Sequence, residues 1–190
     1  MDNRRSSVRL ATFDNAWYST GRSLPIRVLW LLFSRWFFLT WFPWPSRLKV
    51  SLLRAFGAQV GERVVIKPRV NIKYPWLLAI GNDVWIGEAA WLDSLAKVTI
   101  LSNACLSQGC MIETGNHNWS RSTFDLVVRE VVIEEGAWAA VNSLLLPGSR
   151  LASHAILGAG SVLSGDTVPY GIYVGVPARK VKERRIEVAE

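Results

Sequence analysis

From residue 60 onward an apolar residue returns every six positions. Val60, Ile66 and Ile72 start the series, and after a slip of two residues Ile80, Ile86, Leu92, Val98, Ala104 and Cys110 continue it. The series stops across a stretch containing His117, then resumes at Ile133, Ala139, Leu145, Leu151, Leu157 and Leu163. Apart from Ala104, Cys110 and Ala139, every member is Val, Ile or Leu. A second row, mostly small, falls four residues later at Val64, Val70, Ala90, Ser102, Thr114, Ser143 and Ser161, with Trp76 and Gln108 as exceptions. A helix has a period of about 3.6 and an alternating strand a period of 2, so neither produces a six-residue beat. A β-solenoid of stacked hexapeptides does.

The spacing predicts an all-β, parallel β-helix of about five coils over residues 58–168, each coil a triangle of three hexads. Large aliphatic side chains point into the prism, and the small second-row residues sit near its corners. Each coil is stable only when stacked on the next, at a strand spacing of about 4.8 Å. Both ends therefore need covers: residues 1–57 at one end, and 169–190 as a C-terminal cap and tail at the other.

Net charge is +7 across 190 residues, and its distribution is uneven. Residues 1–60 carry nine Arg or Lys against Asp2 and Asp14, whereas the remainder is balanced. The excess adjoins a greasy run, PIRVLWLLFSRWFFLTWF at 25–42, which reads as a helix with Pro25 in its first turn and Pro43 ending it. Arg35 interrupts the run, and Arg4, Arg5, Arg9 and Arg22 before it are matched by Arg47, Lys49 and Arg54 after it. A span would show a one-sided bias. Trp30, Trp36, Trp41 and Trp44 suit an interface. Residues 25–44 are therefore expected at a membrane surface, with a membrane span, or a helix packed on the solenoid or on a neighbouring subunit, as the other readings. Nucleic acid is not the expected partner, and no signal peptide with a small-residue cleavage site is evident. Residues 46–56 read as a short amphipathic helix closed by Gly57.

Cys105 and Cys110 are too few and wrongly spaced for a disulfide framework or a zinc site. No metal is expected. The chain has two histidines. His154 lies inside a regular hexad and reads as a surface residue. His117 opens the interruption, in ETGNHNWS, and residues 116–132 read as a loop thrown out of the prism. Loops on rigid scaffolds concentrate function.

Several segments together narrow the class. FGAQVGERVVIKPRVNIKYPW at 56–76, DVWIG at 83–87, ETGNH at 113–117, FDL at 124–126, GAGSV at 158–162 and VGVPARKV at 174–181 occur in order. In these the chain resembles the hexapeptide-repeat acetyltransferases, and among them the colanic-acid-type exopolysaccharide O-acetyltransferases. The resemblance implies a left-handed β-helix, a homotrimer, and acetyl-CoA held in clefts between subunits. It implies an acetyl-CoA-dependent O-acetyltransferase acting on a sugar hydroxyl, free or lipid-linked; the basic, Trp-rich N-terminus would bring it to the cytoplasmic face of the membrane.

For that reaction His117 is the expected general base, since a neutral imidazole removes a hydroxyl proton near neutral pH. Asp93, Glu113, Asn116 and Asn118 are candidates for orienting it or for touching the acceptor; a main-chain oxygen is another orienter. The resemblance assigns cofactor contacts to Trp138, Ala140, Ala159, Ser164, Arg179 and Lys182, the last two for the phosphates. Where WIG is common in the family, this chain has Trp138-Ala139-Ala140. Competing readings are a longer-chain acyltransferase of lipid A type and a non-catalytic β-helix scaffold. A solenoid carbonic anhydrase needs three His ligands, which two histidines exclude.

Overall fold

The computed structural model describes residues 7–187; Arg4 and Arg5 of the expected basic flank lie outside it. From Gln59 the chain winds into a three-sided prism of short parallel strands. The first face stacks Val60 on Ile80, Ile100, Ile133 and Leu151. The second stacks Ile66 on Ile86, Leu106, Ala139 and Leu157. The third stacks Ile72 on Leu92, Ile112, Leu145 and Leu163. All of these point into the core, and all but Val60 are buried.

These registers correct the sequence reading at Val98, Ala104 and Cys110. A second slip of two residues falls between Leu92 and Ile100, so the inward row passes through Ile100, Leu106 and Ile112 instead. Val98, Ala104 and Cys110 belong to the second row, stacked with Leu78, Val84 and Ala90 below and Val131, Ala137 and Ser143 above. That row is buried as well. Rephasing removes Ser102 and Thr114 from it, and with them the exception Gln108; Trp76 lies in the corner turn at the first slip, and Leu78 takes its place in the row. Burial of the Cys110 thiol pushes its pKa up to about 12, which fits an inert core filler.

The first two coils thus take twenty residues and the fourth eighteen. Every extra residue falls at one corner, between the third face and the first. Where that corner is short, Gly148 turns it at φ +86°. In the first two coils Tyr74–Leu77 and Ser94–Lys97 make a longer turn there, the first a 3₁₀ turn with Leu77 N–H donating to Tyr74 O. In the third coil the same corner grows into the large excursion. The expected loop at 116–132 is instead a β-hairpin, with Gly115–His117 antiparallel to Leu126–Val128. Val131 is already back on the first face.

The helix expected at 25–42 spans Leu24–Phe37 (α1), followed by bends rather than a continuation to Pro43. Its length is about 21 Å against a hydrocarbon core of about 30 Å. Among the described residues no helix is long and apolar enough to cross a membrane. A second helix, Ser46–Ala55 (α2), closes on Gly57 at φ +95°, with Gly57 N–H donating to Arg54 O and Ala58 N–H to Leu53 O. That is a Schellman closure, as the sequence predicts.

The two helices cap the open edge of the first coil, one face at a time. Arg54 donates to Val60 O and Gly61 O on the first face. Ser46 Oγ pairs with the main chain of Ile66 on the second, and the buried Lys49 ammonium donates to Ile66 O and Lys67 O. Trp30 Nε1 donates to Ile72 O on the third. An uncapped edge would present unpaired strand groups to any passing chain. At the other end Gly171–Gly175 and Ala178–Glu183 form a hairpin that extends the second face.

Candidate active site

The hairpin is anchored by its first residues. Thr114 is buried, and its hydroxyl donates to Asp93 O at 2.7 Å while accepting from Ala96 N–H at 2.9 Å. Gly115 crosses so close to Leu95 that a Cβ would lie 2.3 Å from its Cδ1. The long corner of the second coil is therefore the seat of the hairpin.

Within the hairpin, His117 stands half-buried and Nδ1 lies 2.9 Å from Phe124 O. A carbonyl only accepts, so Nδ1 carries the proton and the neutral ring keeps its lone pair on Nε2. Among the described residues no protein group hydrogen-bonds Nε2. Phe124 has φ +53°, a left-handed conformation that costs about 1–2 kcal/mol for a residue with a Cβ. The turn around it is held by Phe124 N–H to Arg121 O, Asn118 N–H to Asp125 O, and an Arg121–Asp125 ion pair at 2.9 Å. The Phe124 ring stacks on the imidazole at 4.3 Å and 9°. Eight other non-glycine residues among those described take positive φ at turns and bends of the solenoid, so what distinguishes Phe124 is where its carbonyl points.

The orienting group is thus a main-chain oxygen. Asp93 and Glu113 sit side by side in register on the third face, with Lys73 Nζ 2.8 Å from Asp93. Burial, then the neighbouring Asp93 charge, raises the Glu113 carboxyl above its ordinary range, with Lys73 opposing. Neither carboxylate hydrogen-bonds His117. Asn116 Oδ1 accepts from His117 N–H, and Asn118 Oδ1 accepts from Ser120. Both amides shape the hairpin rather than the imidazole. A cavity of about 210 Å³ opens beside the ring, lined by Asn116, His117, Trp119, Val127, Arg129 and Pro147. His154, the other histidine, stacks on Tyr170 at 4.8 Å and is half-buried at a corner.

The six residues expected to hold the cofactor fall into separate groups. Trp138 is exposed on the second face, its Nε1 donating to Ser107 Oγ at 2.8 Å. Lys182 shares its row: Trp138 pairs with Ile156, Ile156 with Ile172, and Ile172 with Lys182. Ala140, which is buried, and Ala159, which is exposed, flank the corner between the second and third faces. Arg179 pairs with Val174 near the turn of the C-terminal hairpin. Arg179 and Lys182 are therefore placed by a strand, not by a loose tail. Ser164 lies on the opposite side of the third face, on the edge that bears the His117 hairpin. The residues do not converge within one chain. Among the described residues no group of three or more His, Cys, Asp or Glu side chains is arranged to hold a metal ion.

A scan against protein-family models matches none. WcaF of Escherichia coli (strain K12), described as a colanic acid biosynthesis acetyltransferase, is 31% identical over 165 residues, covering 86% of this chain and 90% of that one. The chain belongs to the hexapeptide-repeat acetyltransferases. A galactoside O-acetyltransferase of the same strain is 25% identical over 136 residues, 70% of this chain and 67% of its own length. Among solved structures, the hexapeptide-repeat acetyltransferase VCA0836 of Vibrio cholerae O1 biovar eltor, complexed with acetyl coenzyme A, superposes with a TM-score of 0.74 at 18% identity, over 85% of this chain and 88% of that chain. The solenoid of this hexapeptide-repeat acetyltransferase is thus the left-handed parallel β-helix. Two features of its site leave little trace in sequence: the carbonyl of Phe124, and the ring of Phe13, which lies 5.6 Å from His117.

Proposed function

We propose that this acetyltransferase moves the acetyl group of acetyl-CoA to a hydroxyl of a sugar in surface-glycan biosynthesis, with His117 as general base. The observation that carries the proposal is the Nδ1–Phe124 O hydrogen bond, which holds the imidazole as a base with Nε2 free. Nε2 takes the acceptor hydroxyl's proton as the oxygen attacks the thioester carbonyl. The resulting imidazolium returns that proton to the departing thiolate, so the enzyme ends unchanged. Acetyl-CoA supplies an already activated acyl group, and no side-chain nucleophile is needed. Such base catalysis is worth about 10²–10⁴-fold.

The residues present fit a CoA arm and its phosphates. Trp85, Trp138, Ile156 and Ile172 give the second face an apolar outward row, and Lys182 ends it. Trp138 and Ser164 flank the third face from opposite sides, so one ligand reaches both most simply where two chains meet. The third face is largely apolar outward too, with Asn71, Trp91, Met111, Leu144 and Val162, whereas the first alternates Gln59, Ala79, Thr99, Val132 and Arg150. These contrasts support a homotrimer in which the second face of one chain closes the hairpin site of its neighbour.

Membrane docking rests on α1. Trp30 is buried against Phe38 and Phe56, yet Leu24, Val28, Leu31, Leu32 and Trp36 face out, beside exposed Trp41 and Phe42. Arg27, Arg35 and Arg47 border this surface, as suits anionic headgroups and a glycan acceptor carried on lipid.

The test is product analysis. Acetyl-CoA and a panel of free and lipid-linked galactosides should yield free CoA and an O-acetyl ester. Ester formation only from long-chain acyl-CoA would favour the lipid A type instead, and no transfer at all would favour the scaffold.

A further inference from the structure

We propose that the segment from Arg9 to Thr20 is a positioning strap for His117, acting through Phe13; this rests on His117 as the base. The long corners explain the strap's course. It climbs the edge between the third and first faces, one coil at a time. Trp76 Nε1 donates to Thr20 O at the first coil's corner, at 2.6 Å. Tyr18 hydroxyl donates to Leu95 O at the second, at 2.7 Å. Arg9 N–H donates to Ser122 O in the hairpin of the third, at 2.8 Å. The two-residue slips that break the six-residue beat are therefore the strap's docking points.

Between the upper anchors the strap turns once through Leu10–Thr12 and sets Phe13 against the imidazole, centroids 5.6 Å apart and planes at 60°. One hydrogen bond to Phe124 O sets the imidazole's angle, but when it breaks the ring turns about Cβ–Cγ and Nδ1 loses the partner that fixes its tautomer. Phe124 stacked at 4.3 Å and Phe13 packed against the ring remove that freedom. Nε2 then stays aimed in one direction, which base catalysis requires. Phe13 makes no bond to substrate in this account and acts only through His117.

With two histidines, ¹⁵N ring NMR of the full chain reads His117 directly, with His154 as the internal control. In wild type the neutral His117 ring should be the Nδ1–H tautomer. Phe13→Ala should give a tautomer mixture, and Phe13→Tyr should restore the single form, with His154 unchanged throughout. With acetyl-CoA and methyl β-galactoside, Phe13→Ala should lower kcat about 10-fold at unchanged KM for acetyl-CoA. A His117 that keeps one tautomer in Phe13→Ala, or a loss confined to KM, overturns the strap. Normal turnover in His117→Ala overturns the base instead and leaves the NMR result standing, so the two failures are separable.

Discussion

Lys49 offers a stability prediction that can be worked from the structure. Its side chain is wholly buried under the first coil, where Nζ donates to Ile66 O at 3.2 Å and Lys67 O at 2.9 Å. Burial disfavours the ammonium and lowers its pKa from 10.5 to about 8. Below that value both folded and unfolded chains hold the proton, and the cost of burying the charge is fully present. As pH rises from 8 to 10.5 the folded chain releases a proton that the unfolded chain keeps, so stability increases. At about pH 9.5 the gain should be about 2 kcal/mol, approaching about 3 kcal/mol above the unfolded pKa. Lys49→Met lacks the titration, so the difference between the two proteins isolates it from every other group. Urea unfolding of both at about pH 7 and about pH 9.5 measures the change. A difference independent of pH would show that the ammonium is not desolvated there, and Lys49 would drop out of the edge cap that Arg54, Ser46 and Trp30 also form.

Two further outcomes follow from the fold and the surface. Ile112 points into the prism and Met111 out of it, so Ile112→Ala should cost about 2–5 kcal/mol by denaturant unfolding and Met111→Ala much less; equal costs would contradict the inward placement of Ile112. The full chain should bind vesicles containing anionic phospholipid more tightly than neutral ones, weakening with salt, and the exposed-site changes Leu31→Glu with Leu32→Glu should abolish binding; unchanged binding would detach α1 from the membrane.

The six-residue beat was legible because stacked coils require it, but its phase was not. Val98, Ala104 and Cys110 continue the series as well as Ile100, Leu106 and Ile112 do, since both rows are buried. Spacing alone cannot say which row points to the axis. His117 stood out through its place in the interruption. Its orienter did not, because a carbonyl belongs to every residue and only the backbone conformation of Phe124 aims this one. The hairpin was hidden by chemistry shared across its edge: Leu126–Val128 and Val131–Ile133 form one β-rich run broken only by Arg129 and Glu130. The strap was hidden for the same reason as the orienter. Two of its anchors are a main-chain amide and a main-chain carbonyl, and its contact with the base is one aromatic ring. The first helix was overestimated because Phe38–Phe42 remains apolar after the helix has ended; Phe38 turns inward to Trp30 while Trp41 lies under the Arg69 guanidinium at 4.1 Å.

The most direct test of the account is the rate of CoA release from acetyl-CoA by His117→Ala, measured beside wild type on whichever galactoside the product analysis shows to be acetylated. A fall of about 10²–10⁴-fold in kcat, with ¹⁵N-monitored folding intact at His154, is the predicted result. Turnover within a few-fold of wild type would contradict the assignment of His117 as the base.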